Sequence, residues 1–142
     1  MEDSISGTQE GLAQDDAWAG FAHYVSRCVA FRSGAFAPLA GTIETTPAMW
    51  RLAKRGRGLV EQLATRAHRS GALRPDAAAL DIAYLIEQFA RRTSTESTDE
   101  EDNVRRRLLA IALDGLRAPG TEPLPGTTPS AVKYEKRWRT AR

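Results

Sequence analysis

The chain has 142 residues, 42% of them apolar, and a formal net charge of +2. That size favours one compact domain, and that composition excludes a wholly disordered chain. One cysteine, Cys28, excludes an internal disulfide, and no apolar run reaches the ~18 residues of a membrane span. The charge is unevenly spread: residues 131–142 carry +4 and the remainder −2, so the pI of 9.0 reflects the tail. The N-terminus is acidic and polar, unlike a secretory leader, which makes the cytoplasm the expected compartment.

Residues 1–14 read as a disordered acidic lead-in, with Glu2, Asp3 and Glu10 and no basic residue. The spacing of Trp18, Phe21, Val25, Cys28 and Val29 predicts a helix over 16–33, capped by Asp15 or Asp16. Tyr24 and Phe31 widen its apolar stripe, leaving Asp16, Gly20, His23 and Arg27 as a narrow polar face. Gly34 stops it, and residues 35–40 form a short apolar segment containing Phe36.

A second helix begins at Thr46-Pro47 and runs to about Ser70, with Met49, Leu52, Gly56, Leu59, Leu63 and Ala67 on one face. Gly56 on that stripe suggests close approach by another backbone. A third helix is expected from Asp76 to about Arg92, with Ile82, Leu85, Ile86 and Phe89 apolar. Polar residues 93–98 form a loop, and Thr98 with Glu101 forms a capping box for a fourth helix to about Arg117. Its apolar residues make two stripes: Val104, Leu108, Ile111 and Gly115, then Leu109, Ala112 and Leu116. Pro119, Pro123, Pro125 and Pro129 enforce an extended tail, and the last twelve residues have the make-up of a short basic helix. The fold class is all-α, a bundle of about four main helices over residues 15–118, followed by a Pro-rich then basic tail over 119–142.

Two stretches carry a family resemblance. One is Ser70-Gly71-Ala72-Leu73-Arg74-Pro75-Asp76, followed by Asp81 to Ile86. The other runs from Arg107 to Pro119 and continues through Pro123-Leu124-Pro125-Gly126. They resemble the last two helices and proline-rich tail of TetR-family transcriptional regulators of the actinobacterial type. The family's DNA-binding headpiece has no counterpart in residues 1–14.

The resemblance implies a homodimer in which the third and fourth helices pair with their copies in a four-helix bundle. The interface residues would be Ile82, Leu85, Phe89, Val104, Leu108, Ile111, Ala112, Gly115 and Leu116. The wide apolar faces of both helices independently permit this, although central helices of a monomeric bundle have the same look. The resemblance also implies a pocket for an unknown small-molecule effector, apolar or aromatic. Its candidate lining is Phe21, Tyr24, Val25, Cys28, Phe36, Met49, Trp50, Leu63, Ile86 and Phe89, all of which equally suit an ordinary core. Tyr24 and Trp50 bring polar handles that would orient a ligand. DNA would be bound only through a headpiece. The alternative is a headless protein that forms mixed dimers with a full-length relative and weakens its DNA binding.

No enzymatic constellation stands out, and neither cofactor nor metal is expected. His23 and His68 read as solvated, the latter near a helix C-terminus. Arg51, Lys54, Arg55 and Arg57 read as a solvated basic face. Tyr134 and Trp138 among basic residues have the make-up of a surface that stacks on single-stranded nucleic acid, although one aromatic pair in an extended tail equally suits a solvated segment.

Overall fold

Side-chain oxygens start most of the helices. The chain forms α1 (Glu2–Leu12), α2 (Ala17–Ala30), α3 (Pro47–Arg69), α4 (Ala79–Ala90), α5 (Asp99–Leu116) and α6 (Ala131–Lys136). The computed structural model describes residues 2–31, 40–42, 44–91 and 98–139, without the side chains of 2–4, 7 and 8. Phe36, Gly34, the short segment 35–39 and the loop 93–97 therefore lie outside the described residues. Asp16 accepts the Ala19 N–H at 2.7 Å, Thr46 the Met49 N–H at 3.2 Å and Thr98 the Glu101 N–H at 3.2 Å. Each such cap contributes about 1 kcal/mol by satisfying a backbone donor that the first turn leaves open.

The α3 helix stops in a left-handed turn. Gly71 has φ 75°, Ala72 N–H donates to Ala67 O at 3.0 Å, and Gly71 N–H to His68 O at 3.0 Å. Glycine takes that backbone region without the Cβ penalty. The core gathers below: Phe21, Val25, Ala67 and Ile82 are wholly buried, with Leu63, Leu73 and Ala77 close behind.

Within the stretch expected to be a lead-in, Glu2–Leu12 form α1, which packs across α2 and α3 with Ile5 buried. Sequence periodicity could not show this, because α1 is held by tertiary contacts and not by a wide apolar stripe of its own. It lies on the face of α2 that reads as polar. Gly11 meets Gly20 there so closely that a Cβ on Gly11 would sit 2.5 Å from Gly20 O. Arg27 Nη1 reaches the Glu10 carboxylate at 2.5 and 2.7 Å, and His23 Nε2 at 3.0 Å. These two side chains hold the Glu10 carboxyl below the usual range. Arg66 of α3 then donates to the Asp15 carbonyl at 2.8 Å and also reaches Gln14 O, Leu12 O and Gly11 O. A cation there satisfies the carbonyls that the end of α1 leaves open. Gly56 faces the Ile5 side chain of α1, 3.7 Å from where its Cβ would be, so a side chain and not a backbone approaches it.

The start of α4 is also corrected. It begins at Ala79 and not at Asp76, because the Asp76 carboxylate is engaged elsewhere. Arg74 Nε donates to Asp76 Oδ1 at 2.6 Å, Arg74 Nη2 to Oδ2 at 3.0 Å, and Leu124 N–H to Oδ2 at 2.9 Å. Arg74 Nη1 also donates to Gly115 O at 3.1 Å and Nη2 to Glu122 O at 2.5 Å. Arg74 N–H donates to Leu116 O, Ala118 N–H to Ala72 O, and Leu73 bridges Arg117. Gly120, at φ 75°, leaves room for the guanidinium, since a Cβ there would lie 2.9 Å from Arg74 Cζ. The Arg74 cluster thus ties the α3–α4 turn, the end of α5 and the proline-rich tail together.

Two outcomes follow for stability. Gly20→Ala should lower unfolding free energy by about 1–3 kcal/mol in urea, since its Cβ meets fixed backbone; Gly58→Ala in α3, with open space around it, should not destabilise the chain. The Arg74 guanidinium, then the Leu124 N–H, draws Asp76 down from 3.8 to about 2. A carboxyl lowered on folding stabilises above its unfolded value, and that contribution drains away as pH falls through the folded one. Thermal melts should therefore show stability falling from pH 3.8 toward about 2, a slope that Arg74→Ala flattens. At neutral pH the same variant should melt lower by roughly 5 °C or more. An unchanged melting profile would remove Arg74 from this role.

Candidate effector and dimer surfaces

The bundle interior collects the expected pocket residues selectively. Phe21, Tyr24, Val25, Cys28, Leu63 and Ile86 share one buried cluster, and Phe89 packs against it half-buried. They come from α2, α3 and α4, whose apolar stripes converge. Met49 is exposed, and Trp50 is half-buried on the flank of α3, where its Nε1–H donates to Thr45 Oγ1 at 3.0 Å. Those two stand apart from the interior group. The interior is closely packed, with Phe21 and Val25 at zero exposure. The open clefts described here lie elsewhere: one of about 760 Å³ between α2 and α5, floored by Val29, Leu109 and Leu113, and one of about 510 Å³ between α3 and α6.

The two stripes of α5 have different fates. Leu109 is buried, and Leu113 and Leu116 pack on the core. The other stripe faces outward: Val104 is 43% exposed, Leu108 50% and Ile111 65%, with Gly115 also exposed. On α4, Leu85 and Phe89 are half-buried, as is Ala112 on α5. Ile82, also expected at the interface, is wholly enclosed by its own chain's core. The i,i+3 and i,i+4 spacing of Val104, Leu108, Ile111 and Gly115 makes a continuous apolar ridge, with small Gly115 at its end.

Over residues 14–118 the chain matches the family described as transcriptional regulator SbtR-like, C-terminal domain. The chain belongs to the TetR family. The matched span is that family's C-terminal domain and runs from just after α1 through the end of α5. Among curated proteins the chain has no match. The resembling stretches identified in the sequence of this TetR-family domain turn out to be spatial neighbours, joined by Arg74, Asp76 and the Leu73–Arg117 bridge.

Several groups act differently from their sequence reading. His23 and His68 both have partners: Glu10 for His23, and the Arg74 carbonyl at 3.2 Å from His68 Nε2. Arg51, Lys54 and Arg55 are exposed as expected, while Arg57 pairs with Glu135 of α6. Tyr134 is not available for stacking on a nucleic acid. It packs edge-on to Tyr84, centroids 5.3 Å apart, and donates its hydroxyl to Glu87 Oε1 at 3.0 Å.

Glu87 escaped the sequence reading. It is 7% exposed on α4, and Arg137 grips it with two bonds of 2.8 and 3.1 Å. The Arg137 guanidinium also lies over the Tyr84 and Tyr134 rings at 4.9 and 4.5 Å. A buried carboxylate needs such a charged, forked partner. Its signal was a lone acid inside the apolar run Ile82–Ala90. Through it the basic tail is docked on α4 and not free. Burial first, then the Glu87 charge, pushes Tyr134 up to about 12. A tyrosine raised on folding adds stability that is complete below its ordinary value and is lost as pH rises through the raised one. Ultraviolet titration should therefore show a step near 12 that is lost in Tyr134→Phe, and Glu87→Ala should bring it back toward 10 while speeding tryptic cleavage at Lys136. The absence of a Tyr134-dependent step near 12 would contradict the docked tail.

Proposed function

We propose that this TetR-family domain senses a small-molecule effector and dimerises through α4 and α5. The observation that carries the dimer is the outward ridge of Val104, Leu108 and Ile111 on a helix whose opposite face already fills the core. Exposed large apolar side chains in a row favour a partner with the same row, which a two-fold axis supplies. Leu85 and Phe89 of α4 are half-buried and would join that interface, and the open space at Gly115 would let two copies of α5 approach closely.

The effector reading rests on Phe21, Tyr24, Val25, Cys28, Leu63, Ile86 and Phe89, an apolar and aromatic group held between three helices. They are packed in this structure, so an effector would bind a more open arrangement and draw the population toward it. Movement of α2 and α3 would pass to α1, which both hold through Gly20, Glu10 and Arg66. In a regulator of this kind DNA contact belongs to a separate headpiece, and the compartment is the cytoplasm. The same α5 ridge would serve a mixed dimer with a full-length relative.

Sedimentation equilibrium tests the dimer. The parent should sediment at twice its 15.6 kDa chain mass, and the double substitution Leu108→Glu, Ile111→Glu should give a folded monomer. Both side chains are at least half exposed, so their replacement leaves the core intact. A parent that stays monomeric at about 0.1 mM, or a dimer indifferent to both charges, would sink this reading.

A further inference from the structure

The cleft between α3 and α6 has a chemistry of its own. It encloses about 510 Å³ and is lined by Trp50, Lys54, Arg57, Glu135 and Arg139. Trp50, Lys54 and Arg57 stand at i, i+4 and i+7 on α3, so one helix face presents an indole beside two cations. The indole N–H is already bonded to Thr45, which fixes the ring and leaves its face as the remaining recognition surface. Arg57 is tied to Glu135. Lys54 and Arg139 form no ion pair among the described residues, and both are exposed.

The opposite wall is held in place twice. Arg137 is locked to Glu87, and Gly41, at φ 85°, brings the loop 40–42 against the Arg137 carbonyl, 3.2 Å from where its Cβ would be. The cleft is thus a feature of the docked tail, built from two segments far apart in sequence.

We propose that this cleft binds a small aromatic carboxylate, its ring against Trp50 and its carboxylate between Lys54 and Arg139. A volume of this size suits a small organic molecule. The indole face selects a planar ring, and the Lys54 and Arg139 cations select an anion. Glu135 cancels Arg57, so the site holds two net positive charges, which suits a mono- or dianion and not a polyanionic chain. The site lies outside the bundle interior and stands whether or not an effector binds there.

The test uses the intact chain and 2-naphthoate, with neutral 2-naphthalenemethanol as its uncharged counterpart. The three tryptophan indole N–H signals are followed by NMR during titration, the Trp50 signal being assigned by its loss in Trp50→Phe. Naphthoate should shift that signal saturably and bind about 10-fold tighter than the alcohol. Lys54→Gln with Arg139→Gln should weaken naphthoate about 10-fold and leave the alcohol unchanged; both residues are exposed, so the fold is kept. Glu135→Gln removes the one acidic side chain among the described lining residues while Glu87 still holds α6, and should tighten naphthoate about 2- to 5-fold, a gain that misfolding cannot produce. The proposal is overturned by no saturable shift up to about 1 mM, by equal binding of the alcohol, or by shifts confined to Trp18 or Trp138. Unchanged affinity in the Lys54/Arg139 variant, or weaker binding in Glu135→Gln, also overturns it.

Discussion

The Arg74 guanidinium is the point through which the separate parts of this chain are held in one arrangement. A buried guanidinium has five donors in a rigid fork, and each must find an acceptor. Here the acceptors come from Asp76, the Gly115 carbonyl at the end of α5, and the Glu122 carbonyl in the tail. Asp76 passes the connection on to the Leu124 N–H. Lysine could not make this set of contacts, having one nitrogen and no plane. The C-terminal end of α5 is anchored there, while Leu109, Leu113 and Leu116 on the core leave Val104, Leu108 and Ile111 facing outward.

At the other end of the bundle, charge and small residues do comparable work. Gly11 and Gly20 let α1 and α2 approach at backbone distance, and the Glu10 carboxylate meets Arg27 and His23 across that crossing. Arg66 closes the end of α1 from α3. These contacts connect α1 to both helices that enclose the interior aromatic cluster.

The tail turns from a polar appendage into part of the fold by the same means. Glu87 costs free energy to bury on α4, and Arg137 with Tyr134 offsets that cost. Docking α6 closes one wall of a surface cleft and half-buries Tyr134 against Tyr84. Trp50, expected to face an interior pocket, is instead placed on this cleft, with its N–H satisfied by a neighbour in its own capping segment.

Local chemistry was legible in the sequence wherever one segment settles its own conformation. The caps at Asp16, Thr46 and Thr98, the Gly71 stop, the all-α class and the two stripes of α5 follow from spacing and from backbone groups that need partners. The interior group also followed, because apolar stripes on neighbouring helices have nowhere else to converge. What only the tertiary structure decided depends on pairs distant in the chain. The helicity of residues 2–12 rests on Gly20, Arg27 and Arg66, none of which is local to it. The start of α4 moved because Asp76 was claimed by Arg74 and Leu124. Ile82 went to its own core and Val104 to the surface, although both belong to apolar stripes. Periodicity reports that a face is apolar, and burial depends on what else arrives there. A polar group's partner is chosen by three-dimensional proximity, which a linear pattern does not encode.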